Sequence, residues 1–194
     1  MRHGRLHTFL FADLVGFTSL AELHGDDVAA DVAVRFGSEA ARIAAEHGAR
    51  VVKSLGDAVM IRADSAADAL LLGTRLHEEL AAVPGLPPVH AGAHTGRAVE
   101  RAGDWFGAAV NLAARVSAAA RGGELLVTEA TVAAAGRVGG VELERLGPQA
   151  FKNVSGPTAV YSARAAAPAH APAMREPRPV PVATAVPIAA GSTG

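Results

Sequence analysis

The chain has no cysteine among its 194 residues. That excludes a disulfide framework, a thiolate nucleophile and any cysteine-based zinc site, and it fits a reducing, cytoplasmic compartment. Aromatic side chains are scarce, at 4%, although half of the sequence is apolar. The core is therefore built from Ala, Val and Leu, and depends on close backbone approach rather than on large rings. Neither sign of charge dominates: the formal net charge is −1, which removes the basic footprint of a general nucleic-acid or membrane-surface binder. No window approaches the roughly 18 apolar residues that cross a bilayer. Met1 to His7 lacks the apolar stretch of a secretory signal. The expectation is a soluble protein with one well-buried domain, too short for two.

Composition changes after Arg164. Residues 165–194 are mostly Ala, Pro and Val and hold prolines 168, 172, 177, 179, 181 and 187. That spacing forbids helix and offers no burial pattern, so a disordered or polyproline-like tail is expected, leaving residues 5–164 as the folded unit. Within it, short β-rich runs and helical periodicities alternate. Leu6 to Ala12, ending at Asp13, predicts a buried strand. Val28, Val32, Phe36, Ala40 and Ile43 recur at helical spacing from Asp26 to a stop at Gly48. Arg50–Leu55 and Ala58–Arg62 flank Gly56-Asp57 as a hairpin. A second amphipathic helix runs from Ala66 to Val83, with Leu70, Leu71, Leu76 and Leu80 inward. Val89–Val99 is strand-like, Phe106–Ala120 helical, and late strands lie at Glu124–Thr128, Val141–Leu146 and Thr158–Ser162. This order predicts an α+β fold: a ferredoxin-like βαββαβ sandwich, helices on one face of a largely antiparallel sheet, with a C-terminal appendage.

Three places carry candidate chemistry. Asp13 ends a strand just before a helix start, where a carboxylate beside free backbone N–H groups suits a metal and a phosphate; alone it reads better as a helix cap or a turn aspartate. Asp57, at the hairpin tip after Gly56, is by itself an ordinary turn aspartate. Together, on neighbouring strands, the two could hold one or two Mg²⁺ ions completed by triphosphate oxygens. Asn111 and Arg115 are four residues apart and share a helix face, where an amide and a guanidinium suit a ribose and a developing phosphoryl charge. The small residues around them, Ala108, Ala109, Ala113 and Ala114, point to close packing, against the same chain or another subunit.

Five segments in order resemble the class III adenylate and guanylate cyclase catalytic domains: Phe11 to Thr18, Val52 to Asp57, Gly92 to Gly96, Gly107 to Arg115 and Phe151 to Val154. The resemblance spans about His7 to Tyr161 and implies a role for each matched position. Asp13 and Asp57, with the Leu14 backbone carbonyl, would bind two Mg²⁺ or Mn²⁺ ions per site, and the amides of Val15, Gly16, Phe17 and Thr18 would cradle the triphosphate. Lys53 and Asp104 would read adenine from the other subunit of a homodimer. Asn111 would orient the ribose, Arg115 stabilise the pentavalent α-phosphate, and Lys152 pair with the terminal phosphates. The implied activity is conversion of ATP to cyclic AMP and pyrophosphate. A catalytically silent nucleotide-binding module and a guanylate cyclase are the alternatives. Guanine presents a carbonyl where adenine presents an amine, so Asp104 favours ATP; a buried acceptor–acceptor mismatch costs roughly 1–3 kcal/mol or more.

One departure stands out. Many members carry an arginine two residues before the glycine of the central-strand motif, and here the position is His90. His90 and His94 could suggest a metal pair, but without acidic or Cys partners such a strand pair is expected to be structural. Trp105 is expected to pack, with the purine pocket as the alternative.

Overall fold

A computed structural model describes residues 5–167. The Ala/Pro-rich tail lies outside the described residues from 168 onward. Its expected boundary shifts slightly, because the last strand runs through Ala165 and the Ala166 N–H donates to the Gly140 carbonyl at 2.9 Å.

The elements are β1 (Leu6–Leu14), α1 (Phe17–His24), α2 (Asp26–Glu46), β2 (Arg50–Leu55), β3 (Ala58–Ala63), α3 (Ala66–Ala81) and β4 (Val89–Arg97). They are followed by β5 (Val99–Arg101), β6 (Asp104–Phe106), α4 (Ala108–Ala119), β7 (Leu125–Thr128), α5 (Glu129–Ala135), β8 (Val141–Gln149) and β9 (Thr158–Ala165). The main sheet has the order β2-β3-β1-β4-β7-β9-β8. Its first four strands are antiparallel throughout, the ferredoxin-like arrangement expected. β7 then joins β4 in parallel, and β9 and β8 extend the appendage antiparallel. β5 and β6 form a small separate hairpin.

Strand alternation sorts the core onto two faces. Leu10, Ala12 and Leu14 of β1 join Phe36, Ala40 and Ile43 of α2 and Leu70, Leu72 and Leu76 of α3 on one face. Leu72, rather than the expected Leu71, is the fully buried one; each such side chain contributes about 2 kcal/mol of burial. Phe9 points the other way, with Met60, Trp105, Ala109, Val110 and Ala113. So α4 covers the opposite face, and the expectation of helices on a single face is corrected. The reason is steric. A Cβ on Gly92 would lie 2.0 Å from the Ser117 nitrogen, and one on Gly96 2.7 Å from the Ala109 Cβ. Two glycines on one face of β4 let the α4 backbone settle directly onto the strand, against a stripe of small residues at helical spacing, Ala109, Ala113 and Ser117. The Ala pattern thus serves packing within the chain at positions 109 and 113, whereas Ala108 is exposed.

Helix α5 is absent from the sequence-based expectation. Its seven residues give too short a periodicity to be recognised. The helix expected from Phe106 starts later, because residues 104–106 take another form. They are a strand, and α4 begins only after Gly107, whose φ of 145° breaks the chain direction.

Candidate active site

The carboxylate pair is built by strand register. β1 and β3 are neighbours, with Asp13 opposite Ala58, so the hairpin tip at Asp57 lies beside the end of β1. Gly56, at φ 65°, closes the turn, and the Leu14 N–H donates to the Asp57 carbonyl at 3.1 Å. Burial raises the Asp13 carboxyl above its ordinary value, and the nearby Asp57 charge and hydrogen bond raise it further, against a lowering by His90. Asp13 Oδ1 is buried and has no hydrogen-bond partner. Two crowded carboxylates with an orphaned buried oxygen are a poor arrangement for a protein alone and a fitting one for a hard divalent cation. No group of three or more His, Cys, Asp or Glu side chains able to hold a metal occurs among the described residues. An ion held by the two aspartates would have to complete its shell from backbone carbonyls, water or a bound ligand's oxygens.

This crowding has a thermodynamic sign. A folded carboxyl with a raised pKa contributes stability below the ordinary value of 3.8, and that stability is lost as pH rises through the raised value. In metal-free buffer at pH 7, Asp13→Asn will raise the thermal midpoint by about 1–3 °C, a modest figure because the side chain is partly solvent-screened. The gap will narrow as pH falls towards 3.8. Added Mn²⁺ will stabilise the parent chain and not the variant. Calorimetric scans across pH, with and without Mn²⁺, measure both effects, and an Asn variant less stable than the parent at pH 7 would contradict the crowding.

Beside the pair, α1 starts after Gly16, which is left-handed at φ 74°. The helix has neither a side-chain cap nor an acidic residue in its first turn. Its opening N–H groups, at Phe17 and Thr18, are thus without an intrahelical partner and suit an anion. The Val15 amide does not belong with them. It donates to the Pro88 carbonyl at 2.8 Å, so the expected cradle narrows to Gly16, Phe17 and Thr18. That loss had no sequence signal, since Pro88 is distant in the chain.

His90 lies across from Asp13 on the β1–β4 ladder. Its Nδ1 donates to the Ser117 carbonyl at 2.9 Å, and its Nε2 stands 3.7 Å from Asp13 Oδ2. Both residues line a cleft of about 250 Å³ with Ala114 and Ser117, far too small to enclose a nucleotide unaided. His94 turns elsewhere. Its Nδ1 meets Thr128 Oγ1 at 2.8 Å, and burial lowers its pKa, as a structural histidine should behave. Four residues along a strand span about 13 Å, so the two histidines cannot share an ion.

Lys53 and Asp104 come together although 51 residues apart: Nζ donates to Oδ2 at 2.6 Å. Asp104 Oδ1 accepts the Trp105 N–H at 2.8 Å, and the Lys53 bond followed by this backbone bond holds the carboxyl below its ordinary pKa. A bulge makes the pairing possible. The β2–β3 register shifts between Val51 and Lys53, so that Val51 opposes Ile61 while Lys53 opposes Met60. Lys53 therefore points to the face of Met60 and Trp105, not to that of α2.

The remaining candidates stand apart. Asn111 and Arg115 are exposed on α4, and Lys152 is exposed in the β8–β9 loop behind the half-buried Phe151. Their side chains make no hydrogen bond or ion pair among the described residues. The chain therefore gathers one half-site at Asp13 and Asp57, a second at Lys53 and Asp104, and leaves a guanidinium and an amide facing outward. A cavity of about 720 Å³ between α1, α2 and the hairpin tip is lined mainly by Ala and Gly, and none of Asp13, Asp57, Lys53, Asp104, Asn111 or Arg115 reaches it.

No family model matches the chain. It is 34% identical over 160 residues to the pH-sensitive adenylate cyclase MT1302 of Mycobacterium tuberculosis, covering 81% of this chain and 40% of that protein. It is 37% identical over 120 residues to the adenylate cyclase of Streptomyces coelicolor, covering 62% of this chain and 32% of that one. The chain thus spans less than half the length of these relatives. Among solved structures it resembles the adenylate/guanylate cyclase/hydrolase from Silicibacter pomeroyi, with a TM-score of 0.72 and 28% identity over 82% of this chain and 96% of that one.

Proposed function

The chain belongs to the class III adenylate and guanylate cyclase family, and from that premise we propose that it converts ATP to 3′,5′-cyclic AMP and pyrophosphate at two equivalent sites shared across a homodimer. The observation that carries the reading is the buried, unpartnered Asp13 oxygen beside Asp57 and an uncapped helix N-terminus.

In this reading Asp13 and Asp57, with the Leu14 carbonyl, hold two Mg²⁺ or Mn²⁺ ions per site. Bound there, the metal supplies positive charge to the triphosphate and acidifies the ribose 3′-hydroxyl. The N–H groups of Gly16, Phe17 and Thr18 hold the terminal phosphates, with Lys152 as their cationic partner. The opposite protomer brings Lys53 to adenine N1 and Asp104 to the exocyclic amine. Asn111 orients the ribose so that its 3′-oxygen lies in line with the α-phosphorus. As that oxygen attacks and pyrophosphate departs, Arg115 stabilises the charge on the equatorial oxygens. No histidine is required as general base. The outward-facing Asn111 and Arg115 fit a site completed only by a second copy. The folded region from residue 5 is the catalytic unit, and the reading places it where ATP is, in the cytoplasm.

The adenine preference rests on the Lys53–Asp104 pair. Measuring cyclic nucleotide from ATP and from GTP in parallel, with Mn²⁺ or Mg²⁺, tests it. Turnover of ATP exceeding that of GTP by about tenfold or more is expected from the donor–acceptor mismatch. Binding of ATP without product under either metal would support the silent module instead, and faster GTP turnover a guanylate cyclase.

A further inference from the structure

The β5–β6 hairpin is tied to the domain by the Lys53–Asp104 pair and by a single buried side chain. Of its six residues only Trp105 is buried, at 9% exposure, while β5 is exposed throughout. A two-stranded hairpin of this size has little stability of its own, so the docking of that indole sets where the hairpin lies. The dock is a built box. The His7 ring meets the indole edge-on with centroids 4.6 Å apart, and Phe9 flanks it at 5.6 Å. The Arg62 guanidinium lies over the indole at 5.3 Å. Asp64 fixes the two polar walls, bonding His7 Nδ1 at 2.8 Å and both Arg62 terminal nitrogens at 3.1 Å. The indole is therefore gripped on several sides by residues of β1 and β3, the strands that also carry the metal-site end of the sheet.

We propose that Trp105 is a positioning residue for base selectivity: its docking against His7, Phe9 and Arg62 fixes the Asp104 carboxylate so that, with Lys53, it accepts adenine and rejects guanine. The proposal rests on the base-reading role assigned above to Lys53 and Asp104. The link is short. Trp105 follows Asp104 directly, and its own backbone N–H holds Oδ1 at 2.8 Å, leaving Oδ2 to Lys53 at 2.6 Å. With both oxygens tethered, the carboxylate cannot swing aside to relieve an acceptor–acceptor clash, and discrimination against a misfit group requires such rigidity. A loosened hairpin would let Asp104 withdraw from guanine, so the loss would fall on selectivity before it fell on affinity.

Binding of 3′-deoxyATP and 3′-deoxyGTP to the full chain tests this by calorimetry. Neither probe has the attacking hydroxyl, so the result does not depend on turnover. The parent should favour 3′-deoxyATP, and Trp105→Ala should cut the ratio of the two affinities by about tenfold. Trp105→Phe should retain most of it, and in an Asp104→Ala background the Trp105 change should alter the ratio less than about twofold. A folded Trp105→Ala chain that keeps the full ratio, or loses affinity for both probes equally, overturns the proposal. Should Trp105→Ala fail to fold by circular dichroism, Arg62→Met is decisive: a ratio reduced about threefold supports the proposal and an unchanged one overturns it. A parent chain that binds the probes without preference refutes the base-reading role itself, and this proposal with it. A preference in the parent that survives the Trp105 and Arg62 changes refutes this proposal alone.

Discussion

Asp57→Ala will abolish cyclic AMP formation, lowering turnover at least about a thousandfold below the parent chain. The reason lies at the hairpin tip. Asp57 is carried there by Gly56 and held beside β1 through the Leu14 N–H, so its carboxylate cannot be replaced by a neighbour. Its removal leaves Asp13 as the single acidic side chain, with only the His90 imidazole beside it, and no cluster of three or more His, Cys, Asp or Glu able to hold a metal occurs among the described residues. The fold should survive, because Asp57 is only half-buried and loss of its charge relieves Asp13. Product measured by chromatography from purified chains with Mn²⁺ gives the answer. Undiminished turnover would show that the two aspartates are not the metal site.

Arg115→Ala will be nearly as damaging, by about 10²- to 10³-fold, the cost of removing one charge-stabilising donor from a transition state. It should do so without loss of stability, since the side chain is exposed and without an ion-pair partner among the described residues. The more telling result comes from mixing. If metal ligands and the arginine of one site belong to different protomers, a dimer of one Asp57→Ala chain and one Arg115→Ala chain has one intact site and one doubly broken site. With random pairing, half of all dimers are mixed, and activity should return to about a quarter of the parent level. Shared sites account for recovery of that size. Self-contained sites would leave every chain broken, so a mixture as inactive as its components, with mixed dimers shown to form by mass, would end the shared-site reading.

Much of this was legible in the sequence because the elements that position the aspartates follow simple rules. The apolar run of β1, the Gly56-Asp57 turn and the helical spacing of Phe36, Ala40 and Ile43 need no tertiary knowledge, and all appear in the structure. The misses share a physical cause: each depends on a contact between distant segments. The Val15 amide is taken by Pro88 through a loop closure with no local sign. The face chosen by α4 is set by Gly92 and Gly96, whose meaning appears only once the helix is known to lie on them. The box around Trp105 unites His7, Arg62 and Asp64, which look like unrelated surface residues in the sequence. His90 stood out as a departure from the family pattern, but its bond to Ser117 could not have been foreseen.

The extra residue at Val52 makes the lysine's direction a matter of parity. In an unbroken strand, odd and even positions alternate sides, and Lys53 would fall in step with Val51, its ammonium thrust towards the apolar layer under α2. Smoothing the bulge with Val52 retained would keep every side chain named in the site and still swing the ammonium to the side of the sheet away from Asp104.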